Sequence, residues 1–194
     1  MSVHLIAGLG NPGAEYHETR HNAGFMVLDR LAALADIPVT RKSFAGLCGE
    51  GRWQGDRLFL LKPQTYMNLS GRSVAAALRY YKLSPADLIV IHDELDIPFG
   101  QVKIKESGGH GGHNGLRSLM EELGSGDFLR IRVGIGRPAK GDPVKYVLGN
   151  FGKDEVPLLP RVLDGVCPLL ALLLREGVPK AMSLYNRKDL TQEP

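Results

Sequence analysis

The chain has 194 residues, 43% hydrophobic and 23% charged, with a formal net charge of +3. That is globular composition with length enough for one well-buried domain, and so small a net charge names no partner by itself. No apolar run reaches the ~18 residues of a membrane span, the N-terminus lacks the basic region and long apolar core of a signal peptide, and Cys48 and Cys167 match no metal or redox spacing, so the expectation is a cytoplasmic protein with reduced thiols.

Taken in order, Val3 to Leu9 reads as a strand. A long polar loop follows, and helical spacing resumes with Phe25, Leu28, Leu31, Ala32 and Ala35, to be stopped by Asp36 and Pro38. Phe44–Trp53 and Arg57–Leu61 read as a hairpin around Gln54-Gly55-Asp56. Pro63 to Asn68 is a loop, and Ser70 to Tyr81 an alanine-rich helix closed by Ser84-Pro85. Leu88 to Ile91 is a continuous apolar run, as expected of a central strand covered on both faces, and it empties into His92-Asp93-Glu94-Leu95-Asp96. Gln101–Lys105 is a strand, Ser107–Gly115 a glycine-rich loop, Leu116–Leu123 a helix, Leu129–Ile135 a strand and Arg137–Pro143 a mobile loop. Helical stretches at 155–175 and 178–187 finish the chain, with Pro157, Pro160 and Pro168 expected to cap, kink or interrupt them. This alternation predicts the α/β class. The expected form is one domain over residues 1–194, with a mixed, mostly parallel, twisted sheet and helices on both faces.

Charge is unevenly spread. Gln101 to Lys145 holds eight Lys or Arg against five Asp or Glu, and the remainder balances at sixteen of each. Such a stretch is either a solvated basic face or the seat of an anionic ligand such as phosphate.

Polar segments at 10–24, 62–69, 92–100 and 106–115 follow strands, and in open α/β sheets ligands bind where such loops converge. Together they supply Asn11, His21, Asn68, His92, Asp93, Asp96, His110, His113 and Asn114. Gly8-Leu9-Gly10-Asn11-Pro12-Gly13 has the form of a dinucleotide loop, but the helix that should open at its glycines is delayed to about Asn22. The second glycine-rich loop lacks the Gly-Lys-Ser/Thr ending of a P-loop. His110 and His113, with His21 and an aspartate, have metal-ligand composition, yet a run of glycines holds ligands poorly, so no metal and no cofactor are expected. Asn114 also suits a helix cap. An acid–base site fits better. A histidine titrating near ~6.5 takes a proton from water, and a carboxylate fixes its tautomer. His21 with Asp93 forms such a pair if the loops meet, and no G-x-S-x-G elbow offers a competing nucleophile. Asn11, Asn68 and Asn114 offer uncharged donors for a peptide or an oxyanion.

Four motifs, G-L-G-N-P-G-x-x-Y-x-x-T-R-H-N-A-G (8–24), P-Q-T-Y-M-N-L-S-G (63–71), H-D-E-L-D-I-P-F-G (92–100) and G-G-H-G-G-H-N-G-L-R-S (108–118), together resemble bacterial peptidyl-tRNA hydrolase in order and spacing. The resemblance implies a monomeric α/β enzyme that hydrolyses the ester between a peptide and the 3′ ribose of tRNA. It implies His21 as general base, Asp93 as its orienting partner, and Asn11 as holder of the water or ester. It further implies that Asn68, Asn114, Tyr16 and Met67 bind the peptide or 3′ end of the acceptor stem, with His113 supporting the site. Lys105 and Arg132, with Lys103 nearby, match a clamp for the tRNA 5′ phosphate. Some relatives keep the fold as non-catalytic RNA-binding proteins; the intact Asn11, His21 and Asp93 speak against that alternative.

Overall fold

A computed structural model describes residues 1–193. Its seven strands are β1 (Val3–Gly8), β2 (Arg41–Ser43), β3 (Gly46–Trp53), β4 (Asp56–Pro63), β5 (Leu88–Glu94), β6 (Val102–Lys105) and β7 (Leu129–Gly134). They form one sheet in the order β2-β3-β4-β1-β5-β7-β6. The centre, β4-β1-β5-β7, is parallel, and β3 and β6 run against it. The sheet is therefore mixed, with most strands pointing one way, as the alternation of elements predicts.

Strand alternation splits the core in two. On one face Ile6, Ile89 and Ile91 pack with α1 (Ala23–Ala35) and α5 (Leu159–Glu176). On the other, Leu5, Ala7, Leu88 and Val90 pack with α2 (Ser70–Tyr81) and α3 (Asn114–Leu123). Burying each large aliphatic side chain contributes about 1.5–3 kcal/mol. The short α4 (Pro143–Val147) and α6 (Val178–Tyr185) complete the chain. Among the described residues, no helix is long and apolar enough to cross a membrane.

Helix α1 lies unusually close to the sheet because its second residue is Gly24. A Cβ there would stand 2.3 Å from the Ile91 carbonyl oxygen and 2.6 Å from the Leu9 backbone nitrogen. These neighbours are backbone and cannot turn aside. Gly24→Ala is therefore expected to destabilise the fold by about 3 kcal/mol, the upper end for overpacking. Denaturant titration checks this, and an unchanged midpoint would show that the helix stands off the sheet.

The structure departs from the sequence expectations at several elements. β2 was not expected; it joins β3 through Phe44 and Ala45, both at positive φ (55° and 50°) without glycine or asparagine. α4 lies just beyond the expected mobile loop, capped by Asp142, whose side chain accepts from Val144 N at 2.9 Å. α5 starts at Leu159 rather than 155, with Pro160 in its first turn, where a missing N–H costs nothing. It runs uninterrupted through Pro168. Pro168 and Asp164, four residues earlier, are both exposed, so the carbonyl left without a helical donor faces water. Beyond α6 the tail covers the free edge of β6. Asn186 Oδ1 accepts from Ile104 N at 2.8 Å, and Leu190 N donates to Gly100 O at 2.7 Å.

Candidate active site

The segments leaving β1, β4 and β5 converge beyond the carboxyl ends of the parallel strands. They wall a cavity of about 430 Å³ in which Asn11, His21, Met67, Asn68, Asp93, His113 and Asn114 all take part. The fourth segment arrives differently. Lys105, the last residue of β6, pairs with Arg130 at the start of β7, the far end of the sheet from Asp93. The glycine-rich chain after Lys105 thus travels back across the sheet to deliver His113. Buried Arg130 pins it on the way, donating to the carbonyls of Gly108, Gly109 and Gly126.

Asp93 is the hub. It is buried near the end of β5, and its two oxygens accept from two histidines. His21 Nδ1 donates to Oδ2 at 2.8 Å, and His113 Nε2 donates to Oδ1 at 2.8 Å. An ionised carboxylate only accepts, so the His21 proton sits on Nδ1 and Nε2 is left with its lone pair. Burial would push the Asp93 carboxyl up, but the two imidazoles outweigh it and hold it below the ordinary range. Burial likewise pulls His21 down, and the charge and hydrogen bond of Asp93 reverse this, leaving His21 a stronger base than free imidazole.

His21 reaches this position on a 3₁₀ turn, Arg20–Asn22, just before α1. Its neighbours hold the turn in place. Arg20 stacks 4.0 Å over the Tyr146 ring and pairs with Glu155 at 3.2 Å, fastening the segment around α4 to the polar arm that joins β1 to α1. Asn22 is buried and bonds the other end of the arm twice: Asn11 N donates to its Oδ1 at 2.8 Å, and its Nδ2 donates to Asn11 O at 3.0 Å. Asn11 Oδ1 in turn accepts from Met67 N at 2.8 Å. With its oxygen engaged, Asn11 offers the cavity its Nδ2 donor. Sequence reasoning gave Asn22 no role, although a carboxamide next to a proposed base was a visible signal.

His113, not Asn114, caps α3. Its Nδ1 accepts from Gly115 N at 3.1 Å and Leu116 N at 3.3 Å. Asn114 and Asn68 are exposed at the cavity, and their side chains make no hydrogen bond among the described residues. His92 stands behind, fully buried, its Nδ1 donating to the Asp93 carbonyl at 2.7 Å. Burial, with His113 adding to it, pushes its pKa down to about 3, so it stays neutral. At the rim Arg137 Nε donates to Asp96 Oδ1 at 2.7 Å.

His21, Asp93 and His113 bring ligand-capable atoms within 4.8 Å of one another. The histidine nitrogens nearest the carboxylate donate to it, so a cation there would meet ring protons rather than lone pairs. Tyr16, Lys103, Lys105 and Arg132 lie outside the cavity wall. The three cations project from one face of the β6–β7 pair, where Lys103 stands opposite Arg132. Arg132 Nη1 pairs with Glu94 Oε1 at 3.1 Å, and Glu94 lines the cavity, so this pair links the basic face to the site. Lys103 and Lys105 make no ion pair among the described residues. Lys105 lies over Gly108, where an added Cβ would come 2.8 Å from its Nζ.

Residues 5–193 match the family model described as peptidyl-tRNA hydrolase. The chain is 70% identical over 190 residues to the peptidyl-tRNA hydrolase of Geotalea uraniireducens, covering 98% of this chain and 100% of that protein. It is 67% identical to that of Geobacter sulfurreducens, covering 98% of each. Among solved structures it is similar to the peptidyl-tRNA hydrolase of Acinetobacter baumannii, with a TM-score of 0.91 at 39% identity, covering 97% of this chain and 96% of that one.

Proposed function

The chain belongs to the peptidyl-tRNA hydrolase family, and on that premise we propose that His21 and Asp93 activate the water that attacks the ester of peptidyl-tRNA. The protein is a hydrolase that splits peptidyl-tRNA into peptide and free tRNA. What supports the assignment of its chemistry is one contact, the 2.8 Å hydrogen bond from His21 Nδ1 to a buried Asp93 at a cavity wall.

In this reading His21 Nε2 takes a proton as the water oxygen bonds to the acyl carbon. Asp93 stabilises the imidazolium without itself being protonated. Asn11 Nδ2 donates to the carbonyl oxygen as it becomes an oxyanion. The intermediate collapses by breaking the bond to the 3′ oxygen, which takes the proton back from His21. Peptide carboxylate and tRNA 3′-hydroxyl are the products. Asn68, Asn114, Tyr16 and Met67 hold the peptide and 3′ end. Lys105 and Arg132, with Lys103, hold the 5′ phosphate through charge, reading little sequence. The protein works as a single-domain monomer in the cytoplasm, and no step calls for a metal.

Because Asp93 outweighs burial at His21, kcat/KM is expected to fall about tenfold per pH unit on the acid side, with its midpoint above the ~6.5 of free imidazole. The sign follows from the base acting only when neutral. A flat profile down to pH 5 contradicts the assignment. Lys105→Ala is expected to weaken tRNA binding by about 1–3 kcal/mol and to reduce the salt slope of binding by about one, with kcat little changed; equal affinity at low salt sinks the clamp.

The reading as a whole is tested by incubating the protein with N-acetyl-aminoacyl-tRNA and with unblocked aminoacyl-tRNA, each with EDTA present. Rapid release from the blocked substrate is expected. Binding without release would favour a non-catalytic RNA-binding protein, and loss of release on chelation would bring a metal into the mechanism.

A further inference from the structure

His113 reaches Asp93 with the same bond length as His21, from the opposite oxygen. Its tautomer is dictated by backbone: Nδ1 accepts from Gly115 N and Leu116 N, so Nε2 carries the proton. The ring is wedged between the other two histidines, 5.1 Å from His21 and 4.9 Å from His92. These contacts have a consequence for the base. Asp93 carries one negative charge, and every donor it accepts from takes a share of it. A carboxylate bonded on one side only would hold a proton on His21 more firmly than one bonded on both.

We propose that His113 is a positioning residue for ester hydrolysis: its Nε2–H holds the second oxygen of Asp93, aims the first at His21, and moderates the basicity that Asp93 confers on His21. This rests on the reading of His21 as the base. The other groups facing the pair are accounted for. His92 behind it is neutral and bonded to the Asp93 backbone. Arg20, next in the chain, is neutralised by Glu155. At the cavity, Glu94 is paired with Arg132, and Asp96 with Arg137. Among the described residues, only His113 and His21 donate to the Asp93 carboxylate.

Two isosteric substitutions separate this role from the capping of α3. An asparagine at 113 presents an acceptor close to where Nδ1 stood and is a favoured N-cap, but it is too short to reach Asp93. A glutamine presents an amide N–H close to where Nε2 stood and gives up the cap. His113→Asn is therefore expected to move the acid limb of kcat/KM upward by roughly half a unit to one unit, as Asp93 loses a competing donor, and to lower the plateau. His113→Gln is expected to keep the limb at its wild-type position even if the protein is less stable. Folding of both is checked by circular dichroism, and should the asparagine variant not fold, NMR titration of His21 in the glutamine variant decides, a wild-type midpoint supporting the role and a raised one overturning it. An acid limb present in the wild type and unmoved in His113→Asn overturns the inference alone. A wild-type profile with no acid limb contradicts His21 as the base and takes this inference with it.

Discussion

His21→Ala is expected to abolish measurable release of peptide from N-acetyl-aminoacyl-tRNA while leaving the protein folded and able to bind tRNA. General-base assistance contributes roughly 10²–10⁴-fold, and the other carboxylates lining the cavity, Glu94 and Asp96, are tied to Arg132 and Arg137. Asn11 and the two exposed asparagines are uncharged donors. His113 has its Nδ1 on backbone and its Nε2–H on Asp93. His92 is buried and neutral. The fold survives because the variant removes one of two donors to Asp93, a cost of about 1–3 kcal/mol, with His113 still holding the carboxylate. Single-turnover cleavage together with tRNA affinity reads both halves of the expectation. Full activity in a folded variant sinks the assignment of the base, and lost affinity shows that His21 serves binding instead.

The second large effect belongs to Asp93→Asn. A carboxamide keeps the shape of the carboxylate but presents an N–H where one of the histidines now donates. It therefore faces His21 with the wrong tautomer or leaves His113 unpaired, and in either case the negative charge is gone. A fall of roughly 10³–10⁴-fold in kcat is expected, the size seen when a base loses its orienting carboxylate. Burial is the cause that lowers His21, and Asp93 alone reverses it, so any residual activity should show its acid limb below ~6.5. The position of that limb distinguishes a lost charge from a damaged fold; a limb left at the wild-type pH would show that Asp93 does not set the basicity of His21.

Much of this arrangement was legible before the structure, and the reason is physical. Leu5-Ile6-Ala7 and Leu88–Ile91 are uninterrupted apolar runs that only central strands can bury, and polar segments follow each of them directly. Loops leaving parallel neighbours at the same end must meet, so His21 and Asp93 were paired from chain order and residue type. What stayed hidden depends on direction and register. β6 is antiparallel, so Ser107–Gly112 leaves the wrong end of the sheet and must travel back, held by Arg130. In the sequence Arg130 is one more charge in a basic stretch; in the fold it is buried beneath three glycine carbonyls. Asn114 has the better capping propensity, but His113 meets two backbone N–H groups and a carboxylate at once, so tertiary contacts override propensity. β2 escaped because its turn uses Phe44 and Ala45 at positive φ, residues that carry no turn signal.

The basic face was legible as charge alone. Its three cations do not lie in the cavity, and the Arg132–Glu94 pair is what joins the two regions. Binding of RNA and cleavage of the ester are therefore expected to respond to different substitutions, Lys105 for the first and His21 or Asp93 for the second.

The account turns on one atom, the lone pair of His21 Nε2, and nitrogen-15 NMR of the imidazole observes it directly. At pH above its midpoint the His21 ring is predicted to carry its proton on Nδ1 alone, and to titrate at the same pH, above ~6.5, as the acid limb of kcat/KM. A neutral ring that carries its proton on Nε2 at pH above that midpoint, or a midpoint that does not coincide with the kinetic limb, would contradict the claim that His21, set by Asp93, is the base.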